Sequence, residues 1–216
     1  MQFVHASVNQ LSFPCNMAGD RLAHSWRQIT GIQMIFGLFK KKNQNHAIVD
    51  RQYSTLTSMA RVPFFYSDLD VPDTVMGRFE MLSIVMILFF RRTAKSDSSG
   101  QELAQEIVDA FFQDIDHSIR ELGIGDQSVP KRMKKLAGMF YGRVETYAAA
   151  LEGKDGEALA AALMRNIYPK TEEAPGMRGL ADWMIVAEAA LAGISEDEIS
   201  RGHAVLPLPG LLPREE

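Results

Sequence analysis

Apolar residues recur at three- and four-residue steps along most of the chain, the spacing that lines one face of an α-helix. The clearest stripe runs through Leu103, Ile107, Phe111, Ile115, Ile119 and Leu122 and stops at Gly123, a residue suited to ending a helix. Upstream, Val49, Tyr53, Leu56 and Ala60 predict a helix starting near Asn45. Pro63 and Pro72 then interrupt, each disfavouring helix at the residue before it. Asp73 follows as a candidate N-cap for a helix that ends near Arg91 and Arg92. This helix contains "MLSIVMILFF" (81–90), apolar nearly all round apart from Ser83, which predicts a central element with neighbours on several sides. "KSDSSG" (95–100) reads as a loop.

A further helix is expected from about Pro130 to Glu152, with Met133, Leu136, Phe140, Val144, Tyr147 and Leu151 on one face. "GKDG" (153–156) breaks it, and Asp155 is placed to cap an Ala-rich helix reaching about Tyr168. Residues 169–176 form a linker, and Leu180–Ala192 is another apolar helix, closed by Gly193. Ser195 and Glu198 match a capping box for a last short turn. The proline-rich "LPLPGLLPREE" (206–216) cannot be helical and reads as extended. No stretch alternates long enough for a strand. The expected fold is all-α: one compact bundle of about six helices over residues 44–200, antiparallel where loops are short, with a Pro-rich tail over 201–216.

Residues 1–43 read as a disordered extension, since 1–33 show no sustained periodicity and no convincing secretory signal. Within it, Ile35, Phe36, Leu38 and Phe39 stand directly before Lys40, Lys41 and Lys42. Apolar anchors beside cations suit an anionic membrane surface, where each cation contributes about 1 kcal/mol; residues 34–42 are therefore a candidate membrane-contact segment. The apolar run at 81–90 falls well short of the roughly 20 residues that span a bilayer.

Composition narrows the function. Hydrophobic residues make up 46% of the 216 and charged residues 23%, ordinary for a globular domain. A net charge of -4 argues against a general nucleic-acid binder, DNA included. Cys15 is the single cysteine, so neither an internal disulfide nor a Cys-based zinc site can form. "DIDH" (114–117) places Asp114 and His117 on one helix face but turns Asp116 away, and no second cluster supplies further ligands. Gly123 and Gly125 lack the strand and the GK[ST] of a phosphate loop. No nucleophile elbow occurs, and the histidines at 5, 24, 46, 117 and 203 are scattered. The expectation is a protein without catalytic residues, metal or cofactor.

Lys131, Arg132, Lys134, Lys135 and Arg143 stand out, with no acid between Lys131 and Arg143 in a net-negative chain. Lys131 and Lys135 share a helix face, and such a patch attracts phosphate or acidic protein surface. "GRFE" (77–80) and "GRVE" (142–145) recur in two predicted helices; their glycines imply close helix contact, and Arg78 and Arg143 are placed to pair with carboxylates on neighbouring helices.

Two longer stretches, "FFYSDLDVPDTVMGRFEMLSIVMILFFRR" and "DHSIRELGIGDQSVPKRMKKLAGMFYGRVETYAAAL", resemble the ubiquinol–cytochrome c chaperone family of cytochrome bc1 assembly factors. The similarity runs from about Gln44 to Pro169 and is carried by Asp73, Gly77, Arg78, Gly125, Asp126, Pro130, Lys131, Lys134, Tyr141, Gly142 and Arg143. It implies a non-enzymatic chaperone that binds newly made cytochrome b, without a cofactor of its own, peripherally at the cytoplasmic face of the inner membrane or its mitochondrial equivalent. Taken with the basic run, it implies a partner surface drawn from the matched Arg78, Asp126, Lys131, Lys134, Tyr141 and Arg143 and from Arg132 and Lys135 of that run, with the ribosome or a small co-chaperone as further candidate partners. Relatives often carry a histidine in the apolar helix where this chain has Val85, so a packing role is expected there. Two other classes stay open: a helical lipid- or isoprenoid-processing enzyme, with Asp73, Arg78 and Glu80 converging on an interior pocket, and an RNA- or ribosome-binding module using the basic patch.

Overall fold

A computed structural model describes residues 46–171 and 173–210. All regular structure among them is helical: α1 (His46–Ala60), α2 (Phe64–Ser67), α3 (Val75–Thr93), α4 (Ser98–Glu121), α5 (Val129–Glu152), α6 (Gly156–Ile167), α7 (Gly176–Ala192) and α8 (Glu196–Ser200). The all-α bundle is as the periodicity implies. The candidate membrane-contact residues 34–42 lie outside the described residues, as do 211–216.

Because α3 has no polar face over 81–90, it can satisfy itself only by being surrounded, and it packs against α1, α4, α5, α6 and α7. Met81 and every residue from Ser83 to Phe90 are buried, Val85 completely, so Val85 is a packing residue. Each such side chain contributes about 1.5–3 kcal/mol by leaving water. Ser83 avoids a cost by donating its hydroxyl to the Phe79 carbonyl at 2.7 Å. None of the described helices is long and apolar enough to cross a membrane.

Helix ends depart from the expected boundaries in two places. Thr74, not Asp73, caps α3: its Oγ1 accepts from the Gly77 N–H at 3.1 Å, while Asp73 accepts from Arg78 Nε at 2.7 Å. α4 starts at Ser98, inside the expected loop, because the Asp97 carboxylate accepts from the Ser99 and Gly100 N–H groups and nucleates the turn. Leu122 lies beyond the last turn of α4 and is 59% exposed, off the stripe it was expected to complete. Asp155 and the Ser195–Glu198 box cap α6 and α8 as expected.

The other end of α3 is fastened by its arginines. Arg91 donates to Glu188 at 2.6 Å, and Arg92 reaches the Leu191 and Ile194 carbonyls and Glu196 beyond the end of α7. The described part of the Pro-rich tail, 203–208, is extended but docked. Ala204 and Leu206 are buried, and Trp183 Nε1 donates to the Pro207 carbonyl. The fully buried Gln52 of α1 donates to the Ala204 carbonyl at 2.8 Å and accepts from its N–H at 2.9 Å.

Candidate partner-binding surface

The loop at 122–128 turns the chain back on itself, and Gly123 at φ 74° makes that turn cheap. α4 and α5 therefore run antiparallel, with Phe112 against both Phe140 and Tyr141, at ring-centroid distances of 5.9 and 6.2 Å. Asp126 braces the turn from outside: Arg120 donates to it at 2.5 Å and to Asp116 at 2.7 Å. As a partner of Arg120, Asp126 has a role in holding the hairpin closed.

The side of α5 turned away from the bundle begins with Lys131, Arg132, Lys134 and Lys135, all exposed and with no ion-pair partner among the described residues. Next along the same side come Gly138, Tyr141 and Gly142, with Tyr141 37% exposed. A Cβ placed on Gly138 or on Gly142 would meet nothing within 4 Å. Among the described residues the expectation of close helix contact at "GRVE" is thus not met, since none of their elements approaches Gly142. At "GRFE" the crowding is real but comes from a turn: a Cβ on Gly77 would lie 1.9 Å from the Pro72 carbonyl oxygen.

The two arginines of the echo also differ. Arg143 is 6% exposed, on the inner side of α5, and its guanidinium holds both oxygens of Glu80 from α3. Its Nη1 donates to the Met139 carbonyl at 2.8 Å. Read as a partner contact, Arg143 is corrected: burial removes it from the surface, and its work is to fix α5 on α3. Burial pushes the Glu80 carboxyl above its usual range, against the pull of Arg143. Beside it, the buried Tyr147 phenol is raised by desolvation and accepts from Asn166 at 3.0 Å. Arg78 is exposed and pairs with Asp73, which precedes its own helix instead of lying on a neighbour. Since Glu80 faces the core while Asp73 and Arg78 face outward, the three do not converge as an interior catalytic pocket would require.

In "DIDH", Asp114 accepts from Tyr53 at 2.9 Å, Asp116 pairs with Arg120, and His117 lies 3.1 Å from Glu121. No group of side chains among the described residues is arranged to hold a metal. One feature escaped the sequence reading altogether: a depression beside the start of α3, lined by Arg61, Pro63, Tyr66, Ser67, Asp73 and Arg78. It assembles across two turns, so no periodicity announces it.

Residues 67–206, covering α3 to α8 and the docked tail, match the family model described as ubiquinol-cytochrome C chaperone. The chain belongs to that family. A crystal structure of the Cbp3 homolog from Brucella abortus is 48% identical and superposes with a TM-score of 0.71, covering 76% of this chain and 90% of that one. A curated relative, ubiquinol-cytochrome-c reductase complex assembly factor 1 from Xenopus laevis, is 22% identical over 125 residues, 58% of this chain. The match spans 62% of that relative's length. The family region thus holds both the α4–α5 hairpin and the Asp73–Arg78 pair, whereas α1 and Arg61 precede it.

Proposed function

We propose that this chain is an assembly chaperone for the ubiquinol–cytochrome c reductase complex, that it holds newly made cytochrome b peripherally at the inner membrane, and that the client docks on the outer side of α5. The resemblance and the family membership support the general role. The observation that carries the docking surface is the pair Gly138 and Gly142, one turn apart in mid-helix with open space over both. Glycine in an exposed helix interior costs about 0.5–1 kcal/mol relative to alanine, and nothing among the described residues recovers that cost. A client helix that packs backbone to backbone would recover it, since small residues let apolar helices approach closely. Tyr141 and Phe112 supply an aromatic flank, and Lys131, Arg132, Lys134 and Lys135 supply the positive end that steers an acidic or lipid-proximal client. The role is to hold a client, with no reaction of its own. Four cations on one helix of a chain with net charge -4 make a nucleic-acid interface the weaker reading.

Deleting the gene and assaying cytochrome b and the assembled complex tests the role; normal levels of both would end it. For the surface, Gly138→Leu with Gly142→Leu in the full chain is expected to abolish co-purification of cytochrome b in detergent while the protein stays folded. Undiminished capture would move the docking site elsewhere.

A further inference from the structure

Between the end of α1 and the start of α3, two turns and the short α2 enclose the depression that contains Arg61, Tyr66, Ser67 and Arg78. Tyr66 is fixed there by donating its hydroxyl to the Ala60 carbonyl at 2.7 Å. Both guanidiniums lie near enough to lower the Tyr66 phenol's pKa against the larger, opposite effect of burial. Asp73 balances Arg78, but the exposed Arg61 has no carboxylate within ion-pair distance among the described residues. Among the described residues the depression therefore carries one uncompensated positive charge, on a planar donor fork suited to phosphate oxygens. Immediately beside it, Val75 and Met76, the first residues of α3, are 64% and 43% exposed. Val75 and Arg78 are three residues apart on one helix, so they point to the same side.

We infer that this corner binds the phosphate of an anionic phospholipid headgroup, with Arg61 and Arg78 on its oxygens and Val75 and Met76 entering the outermost acyl methylenes. A free phosphate would satisfy the arginines and leave the exposed apolar pair without a role; the two features together select the lipid. Arg78 must then exchange the Asp73 carboxylate for the phosphate, so Asp73 competes with the ligand. The inference rests on the peripheral-membrane part of the proposed function and is independent of the client.

The test uses the full chain with Cys15→Ser and Met76→Cys, labelled at the new thiol with an environment-sensitive fluorophore. Phosphatidylcholine vesicles with added phosphatidylglycerol are expected to shift its emission to the blue, and pure phosphatidylcholine vesicles are not. Arg61→Gln is expected to weaken this response about five-fold, Arg78→Gln similarly, and Asp73→Asn to strengthen it. The opposite sign at Asp73 separates lipid binding from a loss of structure, and Arg61→Gln alone suffices if Arg78→Gln fails to fold. If the chain sediments with vesicles while the fluorophore stays silent, the peripheral reading stands and this corner is not its contact. If it does neither, both fail. A shift indifferent to Arg61→Gln also overturns the inference, as does titration by inorganic phosphate with no response to vesicles.

Discussion

Glu80 and Arg143 meet inside the bundle at 3% and 6% exposure, and a pair so placed is more dangerous broken than it is valuable whole. Arg143→Met leaves a lone carboxyl among apolar neighbours, at an expected cost of about 3–5 kcal/mol, whereas Glu80→Leu combined with Arg143→Leu is expected to recover most of it. The pH dependence has a definite sign. In Arg143→Met nothing opposes burial, so the folded-state carboxyl is raised further above its unfolded value. A raised carboxyl supports the fold where it is protonated, below the unfolded pKa, and that support is lost as pH rises through the folded pKa. The melting-temperature gap between Arg143→Met and the parent should therefore be small near about pH 5 and wide near about pH 8. Thermal denaturation at the two values checks this; a gap that does not change would mean that Glu80 finds another partner.

At the scale of single helices, the caps and the bare glycines give opposite expectations. Thr74→Ala removes the acceptor for the Gly77 N–H and should cost about 1 kcal/mol, while Asp73→Ala should leave the denaturation midpoint almost unchanged. Gly138→Ala and Gly142→Ala have open space to fill and should each raise stability by about 0.5–1 kcal/mol while weakening client capture. Chemical denaturation beside a pull-down separates the two effects, and a stabilised variant with undiminished capture would argue against docking on this side. What could be read from sequence divides along the same line. The stripes of α3 and α4 were plain, because burial on one face or on every face writes a period into the residues. The caps slipped by a residue at Thr74, since Asp73 and Thr74 are both good acceptors and only geometry chooses between them. For Arg143 the sequence supports two readings, an ion pair with a neighbouring helix and a place on the partner surface; the first holds, and only folding shows that the carboxylate is Glu80, 63 residues away. The depression at Arg61 and Arg78 was invisible, because it exists only once two turns are folded together.

For the molecule as a whole, charge is unevenly placed. The net balance is negative, yet the start of α5 presents four cations with no acid among them. Attraction to an acidic client should therefore show in the association rate and fade as salt shortens the Debye length, from about 30 Å at 0.01 M to about 8 Å at 0.15 M. Reversing Lys131, Lys134 and Lys135 to glutamate should slow association and flatten the salt dependence without moving the melting temperature. Client binding followed by stopped-flow at several salt concentrations measures this; association as fast as the parent's at low salt would remove the patch from the client site.

The bond between Gln52 and Ala204 also sets an order of events. The two residues are 152 apart in sequence, and the oxygen and the nitrogen of the buried Gln52 side-chain amide are both satisfied by the backbone of the one residue, Ala204. At elongation rates of about 5–20 residues per second, Gln52 leaves the ribosome roughly 8–30 s before Ala204 does. Through that interval α1 can neither bury its glutamine nor complete its face, so the native packing of this helix becomes available only once Ala204 has emerged.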